Sequence, residues 1–272
     1  MRSASVFWAA NIAAIMLAGL CGSTTAMGTD HSLSFDGVAQ YVTINDPVQI
    51  TDGPFSIEMW IWLQSCDADH TILCNRHGIN GYMLYVYPGG GNAPSVGLIL
   101  NGTLVAFATL GATTQEWVHV AVTWGGTASG EIKLYADGEL LSTYPYTSPV
   151  IETPGNLLIG MWGGVGDYFL GLIDDVRIWS VALDQQTIET WMLKPVDASH
   201  PNWADLKAYW KFDEGSGQTI ASEVNSPDYD GTLGASGEEE SADPVWSDVV
   251  FPMPVEVITL GRLKSGWLRN AR

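Results

Sequence analysis

The sequence predicts an all-β fold, a sandwich or barrel of short antiparallel strands. Three observations carry that expectation. "FSIEMWIWLQ" (55–64) and "WVHVAVTW" (117–124) alternate apolar side chains with others, at the period of two of an extended strand. "EIKLYADGELLSTY" (131–144) holds Asp137-Gly138 between two such runs, a hairpin signal. Turn clusters rich in Gly, Asn and Pro, such as "PGGGNAPS" (88–95), separate the runs at intervals typical of sandwiches and barrels.

Taken in order, the further strand candidates are 40–44, 71–75, 82–87, 96–100, 104–109, 157–161 and 168–179. In 55–64 the phase sets Phe55, Ile57, Met59, Ile61 and Leu63 on one face and Ser56, Glu58, Trp60 and Trp62 on the other. One short helix is expected near 184–193, with Asp184 as its cap and Ile188, Trp191 and Met192 on one stripe. "LKAYWKFDEGSG" (206–217) then returns to strand character, and "PDYDGTLGA" (227–235) reads as a turn and a last short strand. We expect one domain over 30–235, with 206–235 folding back onto the same sandwich, because an apolar strand left exposed there would invite aggregation. Residues 236–272 read as an acidic loop and a basic tail, with four of the chain's 11 basic residues in its last 11 positions.

The bulk numbers narrow the function. A basic start at Arg2, an apolar run to about Leu20 and small residues at Thr24 and Ala26 make 1–26 a secretory signal peptide, and an extracellular location follows. Removing it leaves 246 residues with 30 acidic and 10 basic side chains, net −20. That balance argues against nucleic acid and anionic membranes as partners, and no membrane insertion is expected after cleavage. With 46% apolar residues and 12 tryptophans the chain is not a disordered acidic one. In an oxidising compartment Cys66 and Cys74, which bracket a short connection, are expected to form a disulfide.

"GLIDDVRIWSVAL" (171–183) poses a problem. In regular strand phase Leu172, Asp174, Val176 and Ile178 share a face, and Ile173, Asp175, Arg177 and Trp179 share the other. Asp175 has Arg177 beside it. Asp174 stands among aliphatic residues, where a carboxylate is costly unless it is compensated.

"LSFDGVAQYVTI", "FSIEMWIWL", "TILCNRHG", "WVHVAVTW", "IKLYADGELL", "LLIGMW" and "FLGLIDDVRIWSVALDQQTI" follow one another in an order that resembles the laminin-G-like, or pentraxin-like, jelly-roll module of the concanavalin A-like lectins and glucanases. The likeness runs over about residues 32–234 and implies a two-sheet antiparallel jelly-roll sandwich with one concave sheet. It also implies a structural calcium held by Asp174 and Asp36, with backbone carbonyls near Gly37. Calcium takes six to eight oxygens in a tolerant geometry, which suits such a set. The competing reading makes Asp174 an acceptor of backbone amides at a bulge, and makes Asp36 a turn former with Gly37.

Some members of this fold cleave glycans with paired carboxylates on one strand. No E-x-D-x-x-E run occurs here, so no catalysis is expected. Stacking on aromatic rings is the more plausible chemistry, with Tyr85 and Tyr87 on one side of a strand and Trp162 and Tyr168 flanking the loop "GGVGD". The expectation is a secreted, non-catalytic module that binds carbohydrate or serves cell-surface adhesion. A structural or adhesive protein-binding module without a glycan ligand is the alternative, and a divergent glycoside hydrolase is a third reading.

Overall fold

The computed structural model describes residues 30–89, 93–163 and 166–250. The expected signal peptide and the basic end of the tail lie outside them. In chain order the strands begin β1 (Ser32–Asp36), β2 (Val42–Ile44), β3 (Phe55–Leu63), β4 (His70–Cys74), β5 (Tyr82–Pro88), β6 (Pro94–Leu100), β7 (Thr103–Thr109) and β8 (Trp117–Trp124). They continue as β9 (Glu131–Ala136), β10 (Glu139–Pro145), β11 (Leu157–Ile159), β12 (Leu170–Trp179), β13 (Leu206–Trp210), β14 (Thr219–Ile220), β15 (Gly231–Leu233) and β16 (Val245–Ser247). Two short helices join them, α1 (Gly126–Ser129) and α2 (Gln185–Trp191), one more than the sequence suggests. Asp184 caps α2 as expected, accepting from the Thr187 amide at 2.7 Å.

The strands form two antiparallel sheets of eight, the jelly-roll sandwich the sequence predicts. The first runs β10-β9-β8-β3-β12-β1-β16, with β13 also on β12. The second runs β14-β15-β2-β11-β4-β5-β6-β7. Between them lies one core, filled by the inward residues of β3 (Phe55, Ile57, Met59, Ile61, Leu63) and by Val42, Ile44, Leu84, Val86, Val96 and Leu98 of the second sheet. The period-two phase of the sequence is what sorts these side chains inward.

β12 organises the first sheet. One edge pairs with β3 along its length; the other is shared end to end by β1, which covers residues 170–173, and β13, which covers 176–179. Between those partners the ladder to β3 carries a bulge from Asp174 to Arg177, and Asp175 adopts a φ of 54°. The extra residue reverses the phase, so the two-residue alternation does not hold through the strand. Ile173, Val176 and Ile178 all face the core, while Asp174 pairs with Trp60, and Arg177 with Glu58, on the outer face.

β13 buries Ala208 and Trp210 in the main core, and the Trp210 indole donates to the Tyr229 carbonyl at 2.8 Å. The sandwich also runs on past residue 235, because β16 pairs with β1. A chain ending at residue 200 loses β13 to β16 and exposes the edge of β12. It should be recovered insoluble or with a sharply lowered melting temperature; soluble protein melting as the full chain does would show that these strands contribute nothing.

Candidate functional site

The two outer faces differ. On the first sheet, α2 and the chain after it close the face. A second apolar cluster of Ala121, Tyr135, Trp179, Leu183, Ile188, Val196, Leu206 and Tyr209 seals it. The Trp60 indole donates to the Met192 carbonyl at 2.8 Å, and Arg177 donates to the carbonyls of Trp191 and Lys194 at 3.2 Å each. Beneath this cover Arg177 Nη2 bonds Asp175 Oδ2 at 2.9 Å and Nη1 bonds Glu58 Oε1 at 3.4 Å; the Tyr209 hydroxyl donates to Asp175 Oδ1 at 2.5 Å. Burial raises Glu58, against the pull of Arg177, and drives His119 down to about 3. This is a structural ion network: each charge has a protein partner beneath the apolar cover.

Asp175 therefore has the companion the sequence gives it, and Asp174 does not. Asp174 is 1% exposed and its Oδ2 has no hydrogen-bond partner. It lies where β1 begins and β13 ends, beside Asp30, just before β1, and Asp213, just after β13. Burial, then Asp175, Asp30 and Asp213, hold its carboxyl well above the usual range. Asp30 is pushed up to about 7 by burial first, then by its hydrogen bond to Asp213 and the charges of Asp213 and Asp175.

The implied calcium set is not brought together. Asp36 pairs with Leu170, four residues along β12 from Asp174, which is about 13 Å at strand rise. Its Oδ1 is spent on its own turn, accepting from the amides of Val38 (2.8 Å), Ala39 (3.0 Å) and Gln40 (3.4 Å). Gly37 takes the positive φ of 73° that this turn needs. Among the described residues no three acidic, histidine or cysteine side chains stand close enough to hold a metal ion.

The expected disulfide is absent: Cys66 and Cys74 are both free thiols. β4 is the reason. Four strand steps from His70 to Cys74 carry the second cysteine about 13 Å from the connection that holds the first, well beyond disulfide reach. Cys74 Sγ instead accepts from the Arg76 amide at 3.4 Å, and burial, then Asp67 and Asp69, push the Cys66 thiol up to about 11.

The second sheet's outer face is open, and Tyr85 and Tyr87 stand on it. Their rings stack with centroids 5.2 Å apart and planes 25° apart, both half-buried. The register aligns Thr71, Tyr85, Gly97 and Phe107 across four strands. Tyr85 lies over Gly97, where a Cβ would sit 2.6 Å from Tyr85 Cε1, so only glycine lets the ring lie flat there. Phe107 and Leu104, 48% and 43% exposed, extend the apolar floor toward β7. Asp69 borders the tyrosines; burial, then Tyr87 and Asp69, raise the Tyr85 hydroxyl to about 12. It is a permanent donor at neutral pH.

The loop between β11 and β12 runs beside this face. Its Asp167 carbonyl accepts from the Thr71 amide at 2.8 Å, and the Tyr168 carbonyl meets His70 Nδ1 at 2.9 Å. Trp162 is half-buried with the Arg76 guanidinium 5.1 Å over its ring, so one ring face is already taken. Sequence phase found the two tyrosines. It missed Gly97, Phe107 and Asp69, whose place beside them depends on cross-strand register.

The family model of the concanavalin A-like lectin/glucanases superfamily, laminin G type, matches residues 36–189, more than half of the chain. The chain belongs to this family. Solved structures agree in fold. A carbohydrate-binding-type protein from Bacteroides ovatus superposes with a TM-score of 0.59 at 22% identity, over 80% of this chain and 62% of that one. This chain thus spans less than two thirds of that protein's length. A heptameric SAP-like pentraxin from Limulus polyphemus superposes with a TM-score of 0.52 at 16% identity, over 76% of this chain and 96% of that one. A search of curated proteins finds no match. Among the described residues no helix is long and apolar enough to cross a membrane.

Two measurements check this geometry. Because Asp30 and Asp174 titrate above their unfolded value near 4, the folded chain binds their protons more tightly. That contribution is whole below about pH 4 and is lost as pH rises through the folded value of Asp30, about 7. The melting temperature should fall from pH 5 to pH 8, and Asp213→Asn should flatten the slope; equal slopes would show that the cluster is not coupled. For the thiols, maleimide should label Cys66 slowly in native protein and Cys74 only after unfolding. A chain in which neither reacts until a reductant is added would restore the disulfide.

Proposed function

We propose that this member of the concanavalin A-like superfamily is a secreted, non-catalytic module that binds a glycan on the outer face of its second sheet. The observation that carries the reading is the stacked Tyr85–Tyr87 pair, half-exposed on a sheet and floored by Gly97. Rigid aromatic faces that keep a polar tip in reach suit a sugar ring, which has apolar C–H faces and a hydroxyl rim. The likeness to a carbohydrate-binding-type structure supports it. Against catalysis, no strand of this sheet contains Asp or Glu, so the face lacks the paired carboxylates that glycoside hydrolysis uses. The acidic groups near the tyrosines, Asp67, Asp69 and Asp167, lie in connections at the rim.

Calcium enters this reading with a changed ligand set. We assign it to Asp174 with Asp30 and Asp213 in place of Asp36. The support is the partnerless buried oxygen of Asp174 among like charges, which a divalent cation would neutralise. Binding would have to draw the three carboxylates together.

A glycan array probed with the full chain, in calcium and again in chelator, tests both parts. At least one glycan class should bind, and Tyr85→Ala and Tyr87→Ala should each weaken it about tenfold, or 1.4 kcal/mol. Calcium should raise the melting temperature of the wild type and leave Asp174→Asn unchanged. An empty array, or binding indifferent to both tyrosines, would overturn the glycan reading; a melt indifferent to calcium would remove the metal.

A further inference from the structure

A second polar site stands at the other side of the same sheet. Asn45 and Asp46 follow β2, and Asn225 to Tyr229 precede β15, which pairs with β2 through Gly231 and Ile44. The two segments enclose a cleft of about 410 Å³ lined by Asn45, Asp46, Asn225, Asp228 and Tyr229. That is near the small end of ligand clefts, roughly 300–1,000 Å³, and leaves room for a single ring rather than a long chain.

Its walls are built in advance. Asn45 Oδ1 accepts from Asn156 Nδ2 at 3.3 Å, and Asp46 Oδ1 accepts from the Val48 amide at 2.7 Å. Asn225 Nδ2 donates to the Lys207 carbonyl at 2.8 Å, and the Tyr229 carbonyl accepts from the Trp210 indole at 2.8 Å. The Tyr229 amide donates back to Asn225 O at 3.2 Å and Asp230 to Pro227 O at 3.1 Å, which fixes the loop on itself. Each anchored residue thus spends one polar atom on the scaffold. What remains is Asn45 Nδ2 and the Tyr229 hydroxyl as donors, and Asp46 Oδ2, Asn225 Oδ1 and the Asp228 carboxylate as acceptors. None of these atoms has a hydrogen-bond partner among the described residues. Burial, then Asp46 and Asp228, raise the Tyr229 phenol, so it stays a donor.

We infer that this cleft binds one neutral sugar residue through adjacent hydroxyls. A hydroxyl both donates and accepts, so a vicinal pair can meet a carboxylate and an amide at once, with the half-buried Tyr229 ring beside it. Charge narrows the class: two carboxylates line the cleft, and Lys207, the basic group that interacts with Asp46, gives its ammonium to the Gln49 carbonyl at 2.8 Å, so the lining disfavours uronates, sialic acids and sulfated sugars. The site is separate from the tyrosine pair. β2 and β5 are three strand spacings apart and Asn45 and Tyr85 about four residues apart along the strands, roughly 14 Å by 13 Å. The inference does not rest on the tyrosine face being a glycan site.

The test is amide NMR of the full chain, titrated with the methyl glycosides of glucose, galactose, mannose and xylose, and with methyl glucuronide. One or more neutral glycosides should shift the amides of Asn45, Asn225, Asp228 and Tyr229, and glucuronide should bind at least about tenfold more weakly. Tyr229→Phe, which keeps the carbonyl that Trp210 needs, and Asp228→Asn, at an exposed position, should each weaken binding about fivefold or more. Tyr85→Ala should leave these shifts intact, which separates this site from the face described above. The inference falls if no neutral glycoside shifts these amides, if both cleft variants bind as the wild type does, or if calcium chloride alone produces the shifts.

Discussion

The fold depends on how the two edges of β12 are filled. β3 takes one; β1 and β13, from opposite ends of the chain, share the other end to end. Two short strands cannot meet without a gap, and the gap falls at Asp174 and Asp175. The bulge absorbs the discontinuity, sends Asp175 to Arg177 and Tyr209, and leaves Asp174 facing the two segments that flank the break. Asp30 and Asp213 collect there because those are the residues at which β1 enters and β13 leaves. The acidic corner is a by-product of strand order before it is anything else.

The same topology decides which face can work. α2 follows β12 directly and falls back across β3 and β8, so the first sheet spends its outer face on packing. The buried Glu58–Arg177–Asp175 chain belongs to that closure. The cover imposes a desolvation cost on its charges, which their bonds to one another and to helix-end carbonyls offset. On the second sheet the outward positions of β5 and β6 are Met83, Tyr85, Tyr87, Ser95, Gly97 and Ile99, none of them charged. Binding surface and structural surface are thus separated by sheet.

Much of this was legible in the residues. The alternation in 55–64 and 117–124, the Asp137-Gly138 turn and the Asp184 cap each encode a local choice that the fold keeps. Period and turn chemistry are local, and local signals survive folding. What could not be read is register. A single extra residue in β12 reverses the side on which Arg177 and Trp179 lie; a bulge at Asp174 is one of the two readings the sequence allows, but the residues do not decide between them. Asp36 was joined to Asp174 by resemblance, yet four residues of ladder separate them. Cys66 and Cys74 are close in sequence because a strand connects them, and a strand is what keeps them apart. Likewise β16 is three residues long and directly follows an acidic loop, too short for a period-two signal to show.

β16 has a mechanical consequence. It runs antiparallel to β1 with Ser247 opposite Ser32, and His31–Asp248 and Ser32 Oγ–Val249 O close the same corner. The two ends of the described chain therefore leave from one point on the first sheet. Tension applied through them would load this short ladder as a zipper, opening it one bond at a time, and would not shear β3 against β12. A module pulled by both ends would yield β16 first, with its sandwich core shielded and the open face of the second sheet undisturbed.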